Sequence, residues 1–410
     1  MPAARQLLVT CCCVIVTTSA QAGGLWIRDF GTASQGRANA GEAAGVESAG
    51  TVAHNPAGMA LLEENEFTAS AFVLHGDIEF DIDSTTPLAG NNDGGTIGET
   101  APAAGLAYAH KINDRWSVGF AVAALTGAQL DYNDEWVGRY QAQRVELLGV
   151  AAVPAISWQA TDKLSLGFGL PVLYTDLELD VAIPSLANPG VDPDGQAQLN
   201  GDDTNVGVQL GAIYRFNDRT RLGVMYLSEF EQSFGGDVDL DLAVGSSTVA
   251  VDTDIAFAQL VRVGLAHELN DQLSVYLGAG WEDWSTLDNV LITGQSAGAT
   301  IPTQWEDTWH ASAGLRVRKS DRFEWQFGLA YDSGPVDNQD RRADLPVDRQ
   351  IRVGTSASWQ HNERWRIGGF LTYIDLGDST IGSSNFFRGE YDPNRVIMVG
   401  ANIQFFPERN

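Results

Sequence analysis

Asn113-Asp114-Arg115-Trp116, Thr161-Asp162-Lys163-Leu164, Asn217-Asp218-Arg219, Asn270-Asp271-Gln272-Leu273, Ser320-Asp321-Arg322-Phe323 and Asn362-Glu363-Arg364-Trp365 punctuate the chain at a near-regular interval. Each is a short polar turn, followed by a stretch that alternates apolar with polar or glycine. Their acidic residues lie about 42 to 56 positions apart, which leaves each interval room for two strands of ten or more residues and one longer loop. That is the rhythm of a hairpin barrel. Six tight turns join twelve strands, and one further strand at each end gives about fourteen, an even number with both termini on the same side.

Alternation assigns the faces of these strands. Leu164, Leu166, Phe168, Leu170 and Val172 share one face against Ser165, Gly167 and Gly169. Phe323, Trp325, Phe327, Leu329 and Tyr331 oppose Glu324, Gln326 and Gly328, and Trp365, Ile367 and Leu371 oppose Arg366 and Gly368. In the last strand Ile397, Val399, Ala401, Ile403 and Phe405 oppose Gly400, Asn402 and Gln404. After residue 22 no apolar run reaches the roughly 20 residues of a helical span, so a membrane protein built from this chain is a closed barrel. Apolar faces then meet lipid, and polar or glycine faces the lumen. A soluble β-sandwich alternates similarly. Against it stand the length of the strands, the longer loops on one side, and the aromatic residues Trp116, Trp158, Tyr214, Phe323 and Trp365 beside the short turns, where an interfacial girdle belongs.

The first 22 residues read as a secretory signal. Arg5 precedes the apolar run from Leu7 to Val16, and Ala20-Gln21-Ala22 offers small residues for cleavage before Gly23. Cys11, Cys12 and Cys13 leave with the signal, too early to anchor a lipoprotein, so the exported chain has no disulfide or thiolate metal site. Export of a barrel predicts the outer membrane of a Gram-negative bacterium.

Removal of the signal, which carries Arg5 and no acidic residue, leaves 24 basic against 53 acidic residues, a formal charge of −29. Such acidity excludes nucleic acid as a partner. The acidic residues crowd into the inferred long loops, 77–83, 192–203, 237–254 and 332–348. Solvated loops account for them, with divalent-cation or lipopolysaccharide bridging as the alternative.

Residues 23–64 differ in composition from the rest of the exported chain. They are rich in Gly, Ala and Ser with few β-branched residues, and so form strands poorly. A disordered arm and a periplasmic extension are both open to such a segment, as is a plug. A fourteen-stranded barrel encloses a bore too wide for side chains to fill, which favours the plug. The chain then divides into a signal (1–22), a hatch (23–64) and a barrel (65–410).

Three stretches at the front, Gly23-Gly24-Leu25-Trp26-Ile27-Arg28-Asp29-Phe30, Gly36-Arg37-Ala38-Asn39-Ala40-Gly41-Glu42 and His54-Asn55-Pro56-Ala57-Gly58-Met59, resemble the N-terminal hatch of the FadL/TodX family of outer-membrane transporters. The resemblance continues through Trp136-Val137-Gly138-Arg139-Tyr140, Asp283-Trp284-Ser285, Asp307-Thr308-Trp309, Tyr331-Asp332-Ser333-Gly334-Pro335-Val336 and the segment from Arg341 to Arg349. It spans essentially the whole exported chain, and the order and spacing of these motifs carry it. It implies a fourteen-stranded barrel, a monomer, stoppered by its hatch. The implied cargo is a long-chain fatty acid or an aromatic hydrocarbon, captured outside, admitted when the first hatch residues shift, and released sideways into lipid through a kink in the third strand.

On that reading Leu25, Trp26, Ile27 and Phe30 fill the substrate pocket at rest, the alternative being simple packing against the wall. Asn55, Pro56 and Ala57 fix the shape of the hatch, because Asn-Pro starts turns. The third strand, Trp116 to about Gln129, carries small residues from Ala123 to Ala128, and Leu125, Thr126 and Gly127 mark the expected kink. Pro154 and Pro171 should each interrupt a ladder. For a carboxylate, alternation points Arg262, Arg316 and Arg352 into the lumen from the eighth, tenth and twelfth strands, with His310 beside them. Glu324, inward-facing between two of them, argues for lumenal ion pairs as scaffold instead.

Other classes fare worse. His310 and Ser312 share a strand face, but the sequence shows no nucleophile elbow, so an enzyme is not expected. A general porin would lack the plug and show a constriction of opposed charges, and a purely adhesive or structural barrel is the remaining class. No metal, phosphate-loop or haem motif is visible, and no cofactor is expected.

Overall fold

The computed structural model describes residues 25–26, 32–185, 193–242, 245–294 and 298–407. The signal reading, Ile27 and Phe30 lie outside the described residues. Fourteen antiparallel strands close into one barrel. In chain order they are β1 Glu66–Thr85, β2 Thr100–Lys111, β3 Trp116–Asp131, β4 Arg144–Gln159, β5 Leu164–Gly169 with Val172–Ile183, and β6 Gly195–Val206 with Gln209–Asn217. There follow β7 Thr220–Leu227 with Phe230–Leu242, β8 Gly245–Phe257 with Leu260–Glu268, β9 Leu273–Glu282 with Asn289–Gly294, and β10 Gly298–Pro302 with Thr308–Ser320. The last four are β11 Phe323–Asp332, β12 Gln350–Gln360, β13 Trp365–Asp375 and β14 Phe387–Phe405. Closure comes from β14 pairing with β1, Phe67 opposite Phe405 at one end and Thr85 opposite Phe387 at the other.

All six turn segments fall where the sequence placed them, between β2 and β3 and at every second connection thereafter. Four of the six carry the same device, an Asn side chain at the first position accepting from the backbone two residues on. Asn113, Asn217, Asn270 and Asn362 do so at about 2.9 Å. The expected faces also hold. Leu166, Phe168, Trp325, Phe327, Ile367, Leu371 and Val399 are exposed on the outside, whereas Ser165, Glu324, Gln326, Asn402 and Gln404 are buried inside. On β13 the outward Trp365 and Tyr373 bracket the apolar Ile367 and Leu371, the arrangement of an aromatic girdle at each edge of a lipid-facing band.

Six neighbouring strands, β5 to β10, are each interrupted once, and the interruptions lie side by side. Gly207 donates to the Pro171 carbonyl across the first, Ser228 to Val208 across the next, and Asp283 to Gln259 beyond. Pro171 therefore sits at a break as expected. Pro154 differs: β4 runs through it unbroken, and the interruption falls in its ladder to β5, between Ala152 opposite Val172 and Ala155 opposite Gly169.

The described residues from 32 to 64 coil inside the bore as short helical turns, Ala33–Arg37, Thr51–His54 and Pro56–Leu61. They lie close because the wall beneath them is glycine. Gly223, Gly264 and Gly278 stand opposite one another on β7, β8 and β9, as do Gly314, Gly328 and Gly354 on β10, β11 and β12. Residues 35–44 cross these six strands in reverse order, from Gln35 over Gly354 to Ala43 over Gly223.

Candidate functional site

The tip of the hatch meets the wall at the third strand. β3 bulges between Ala124 and Thr126, so the extra residue is Leu125 and not Gly127, the glycine expected to carry the kink. Past the bulge β3 pairs with β4 alone, because its ladder to β2 ends at Gly105 opposite Ala123. Trp26 takes the vacant edge, forming an isolated antiparallel bridge to Thr126, whose hydroxyl donates to the Leu25 carbonyl at 2.7 Å. Leu125, Thr126 and the hatch tip are thus one contact.

The Trp26 side chain enters an aromatic cage. Phe230, Phe257 and Trp284 surround it at centroid distances of 5.9, 5.6 and 6.0 Å, and its indole N–H donates to the Ala258 carbonyl at 2.9 Å. Phe230, Ala258 and Trp284 all border strand interruptions, which is how a barrel wall turns aromatic side chains and a free carbonyl inward. An apolar cavity, lined by Ala53, Ala121, Ala123, Leu125, Ala151 and Val153 among others, runs along the inner face of β3 and β4.

Below the cage lies a buried polar cluster. Trp26, Asn39 and Glu42 face Arg262, Glu282, His310, Asp332 and Arg352 across a small cavity. Three of the four proposed carboxylate contacts meet here, on β8, β10 and β12 as alternation placed them. Arg262 pairs with Glu282 at 2.5 Å, and Arg352 lies 3.7 Å from Asp332. The Nη1 of Arg262 is buried with no hydrogen-bond partner among the described residues. Arg316 stands apart, 3.5 Å from Glu268 and near the ring of Tyr276.

His310 carries a surprise. Its Nδ1 lies 2.8 Å from Asp332 and its Nε2 3.0 Å from the Ser312 hydroxyl, an Asp–His–Ser chain that sequence reading missed because Asp332 is 22 residues away and opposite only through the ladder. Ser312 is packed against Gly278 beneath Gly41 of the hatch, and Asp332 is shared with Arg352. The chain braces two strands.

Asn55, Pro56 and Ala57 hold the hatch body. The Asn55 amide donates to the carbonyls of Ala43 at 2.6 Å and Val224 at 3.2 Å, and its oxygen accepts from Ala57 at 3.1 Å, while the Ala57 backbone rests on Gly167. Sequence reading passed over the lock at Arg37. This fully buried guanidinium lies over Tyr276, 4.1 Å from the ring, and bonds Glu47 and Gln326, each at 2.7 Å. Burial works against the Glu47 charge, but Arg37, Arg316 and Arg221 hold its carboxyl down at about 2. An arginine followed by two acids in an otherwise small-residue segment was the available signal. Among the described residues no cluster of His, Cys, Asp and Glu is placed to hold a metal ion.

Comparison with known proteins agrees with this fold. Residues 13–400 match the family model described as outer membrane protein transport protein (OMPP1/FadL/TodX). The long-chain fatty acid transport protein of Salmonella typhi is 23% identical over 416 residues, covering 94% of each chain. Outer membrane protein P1 of Haemophilus influenzae is 22% identical over 391 residues and 85% of each. A FadL homologue from Pseudomonas aeruginosa has the same fold, with a TM-score of 0.86 at 20% identity over 93% of this chain and 99% of that one. The toluene transporter TodX of Pseudomonas putida gives 0.67 at 17% identity over 88% and 95%. The chain therefore belongs to the OMPP1/FadL/TodX family of Gram-negative outer-membrane transporters, which carry hydrophobic compounds and are not enzymes.

Proposed function

We propose that the substrate is a long-chain fatty acid, captured on the extracellular side, admitted when it displaces Trp26 from the aromatic cage and Leu25 from Thr126, and released sideways between β2 and β3. The observation that carries this reading is the double role of the hatch tip, which fills the cage and occupies the free edge of β3 at once. A ligand that takes the cage must vacate the edge. An acyl chain partitions out of water at about 0.8 kcal/mol per methylene, so an apolar path along Ala121, Ala123 and Leu125 to lipid opposes it far less than a wet bore. The unpartnered Nη1 of Arg262, just below the cage, supplies a donor for the carboxylate. Hatch residues 23–64 act as the stopper, and the ladder closes within one chain, so a monomer carries the whole route.

A neutral aromatic hydrocarbon is the second reading, favoured by the carboxylate that stands beside each lumenal arginine. Uptake of labelled oleate and of xylene by cells carrying the chain or an empty vector tests both. Oleate uptake above the vector level that Trp26→Ala alters is expected; oleate uptake equal to the vector control refutes the fatty-acid reading.

A further inference from the structure

β2 and β3 part company above Gly105 and Ala123, yet nothing in their side chains forces them to do so. The flanking residues of β2 are Thr100, Ala101, Ala103 and Ala104, small enough for any ladder. Between them sits Pro102. The direction of its missing donor follows from the ladder on the other side. Gly76 donates to Glu99, which makes that pair a hydrogen-bonded one, and alternation makes Leu74 with Ala101 the next. At Val73 opposite Pro102 the β2 backbone groups therefore point away from β1, towards β3. Lys111 and Ile112 confirm the parity, since Lys111 donates to Asn65 on the β1 side and Ile112 to Trp116 on the β3 side.

Extending the register from Gly105 opposite Ala123 would bring Pro102 against Leu125–Thr126. That is the place where Trp26 bridges and where Leu25 accepts from the Thr126 hydroxyl. The gap is framed. Below it the β2–β3 ladder resumes, and above it Gln129 donates to Glu99 at 2.8 Å and Val137 to Asn92 at 2.8 Å.

We propose that Pro102 is a positioning residue that keeps this stretch of wall unzipped and so reserves the edge of β3 for the tip of the hatch. Proline presents no N–H to a neighbouring strand and is confined in sheets to free edges, strand starts and bulges, so β2 cannot compete with Trp26 for Thr126. The consequence for transport rests on the sideways-release reading; the consequence for the ladder does not. When a ligand withdraws Trp26, proline leaves the gap open where any other residue would let the two strands close behind it.

The test uses the exported protein with Leu25 and Trp26 deleted, which removes the backbone that bridges Thr126, in combination with Pro102→Ala or with Pro102→Val, the latter adding strand propensity. Heat-modifiable migration on gels establishes that each barrel has folded. Amide hydrogen exchange over residues 124–128 reads the ladder, and oleate uptake reads the route. With Pro102 replaced, exchange there is expected to slow at least tenfold and uptake to fall at least fivefold. Unchanged exchange in both variants overturns the assignment of Pro102. Slowed exchange with undiminished uptake upholds that assignment and refutes release through this gap.

Discussion

The carbonyl oxygen of Arg37 stands 2.0 Å from the point where a β-carbon on Gly328 would lie. No side chain fits there without moving backbone. The same holds along the row, with the Ala43 carbonyl 1.8 Å from the corresponding point on Gly223 and the Ala44 amide 2.8 Å from that on Gly264. The lumen is therefore shaped to main chain, and closure of the bore depends on the absence of side chains from six strands.

Gly328→Val should expel residues 35–38 while leaving the outer face and its ladders intact. Planar-bilayer conductance is expected to rise at least tenfold above the parent's, with heat-modifiable migration retained. A variant that folds and stays as closed as the parent would show that the glycine rows do not control the seat of the hatch.

Asn55→Ala removes the donors to Ala43 and Val224 and the acceptor for Ala57 in one step. Buried backbone groups left without partners cost about 1–3 kcal/mol. Amide exchange across 43–58 should quicken by ten- to a hundredfold, with exchange in β11 and β12 unaffected. Uniform acceleration throughout the barrel would instead assign Asn55 to global stability.

Much of this was legible in the chain. A period-two pattern is intrinsic to a strand with lipid on one side, and Asn-Asp turns are local chemistry, so strand number, faces and inward arginines could be read off directly. The interruptions across β5 to β10 could not, apart from Pro171, because they arise where neighbouring strands agree to break together around the Trp26 cage. The Asp332 partner of His310 and the Arg37–Glu47 lock were hidden for the same reason: each depends on which strand or turn lies opposite, a property of closure and not of any local stretch.

The Arg37–Glu47 pair makes the seat of the hatch sensitive to acid. Glu47 titrates at about 2 in the folded protein against an ordinary 4.5, so its contribution is complete above 4.5 and is lost as pH falls towards 2. That difference corresponds to roughly 3 kcal/mol. Protection of residues 37–47 against amide exchange, taken relative to the intrinsic rate at each pH, should therefore fall between pH 4.5 and 2. Glu47→Gln should abolish this acid dependence and loosen the hatch at neutral pH, because Arg37 is left buried without its counter-ion. An acid profile identical in the variant and the parent would contradict the lock.

Arg262 decides between a carboxylate contact and a scaffold. Replacing it alone leaves Glu282 buried beside Trp284, whose indole N–H it accepts at 2.6 Å, so the informative variant is Arg262→Met with Glu282→Gln, which removes both charges together. A charge-assisted hydrogen bond to substrate is worth about 1.5–3 kcal/mol, which is roughly ten- to a hundredfold in affinity. If the free Nη1 receives the carboxylate, the KM for oleate should rise by that factor while xylene uptake is unchanged, because a neutral hydrocarbon never used the donor. Equal losses for both substrates would assign the pair to the framework that holds β8 against β9, and would move the fatty-acid headgroup elsewhere in the lumen.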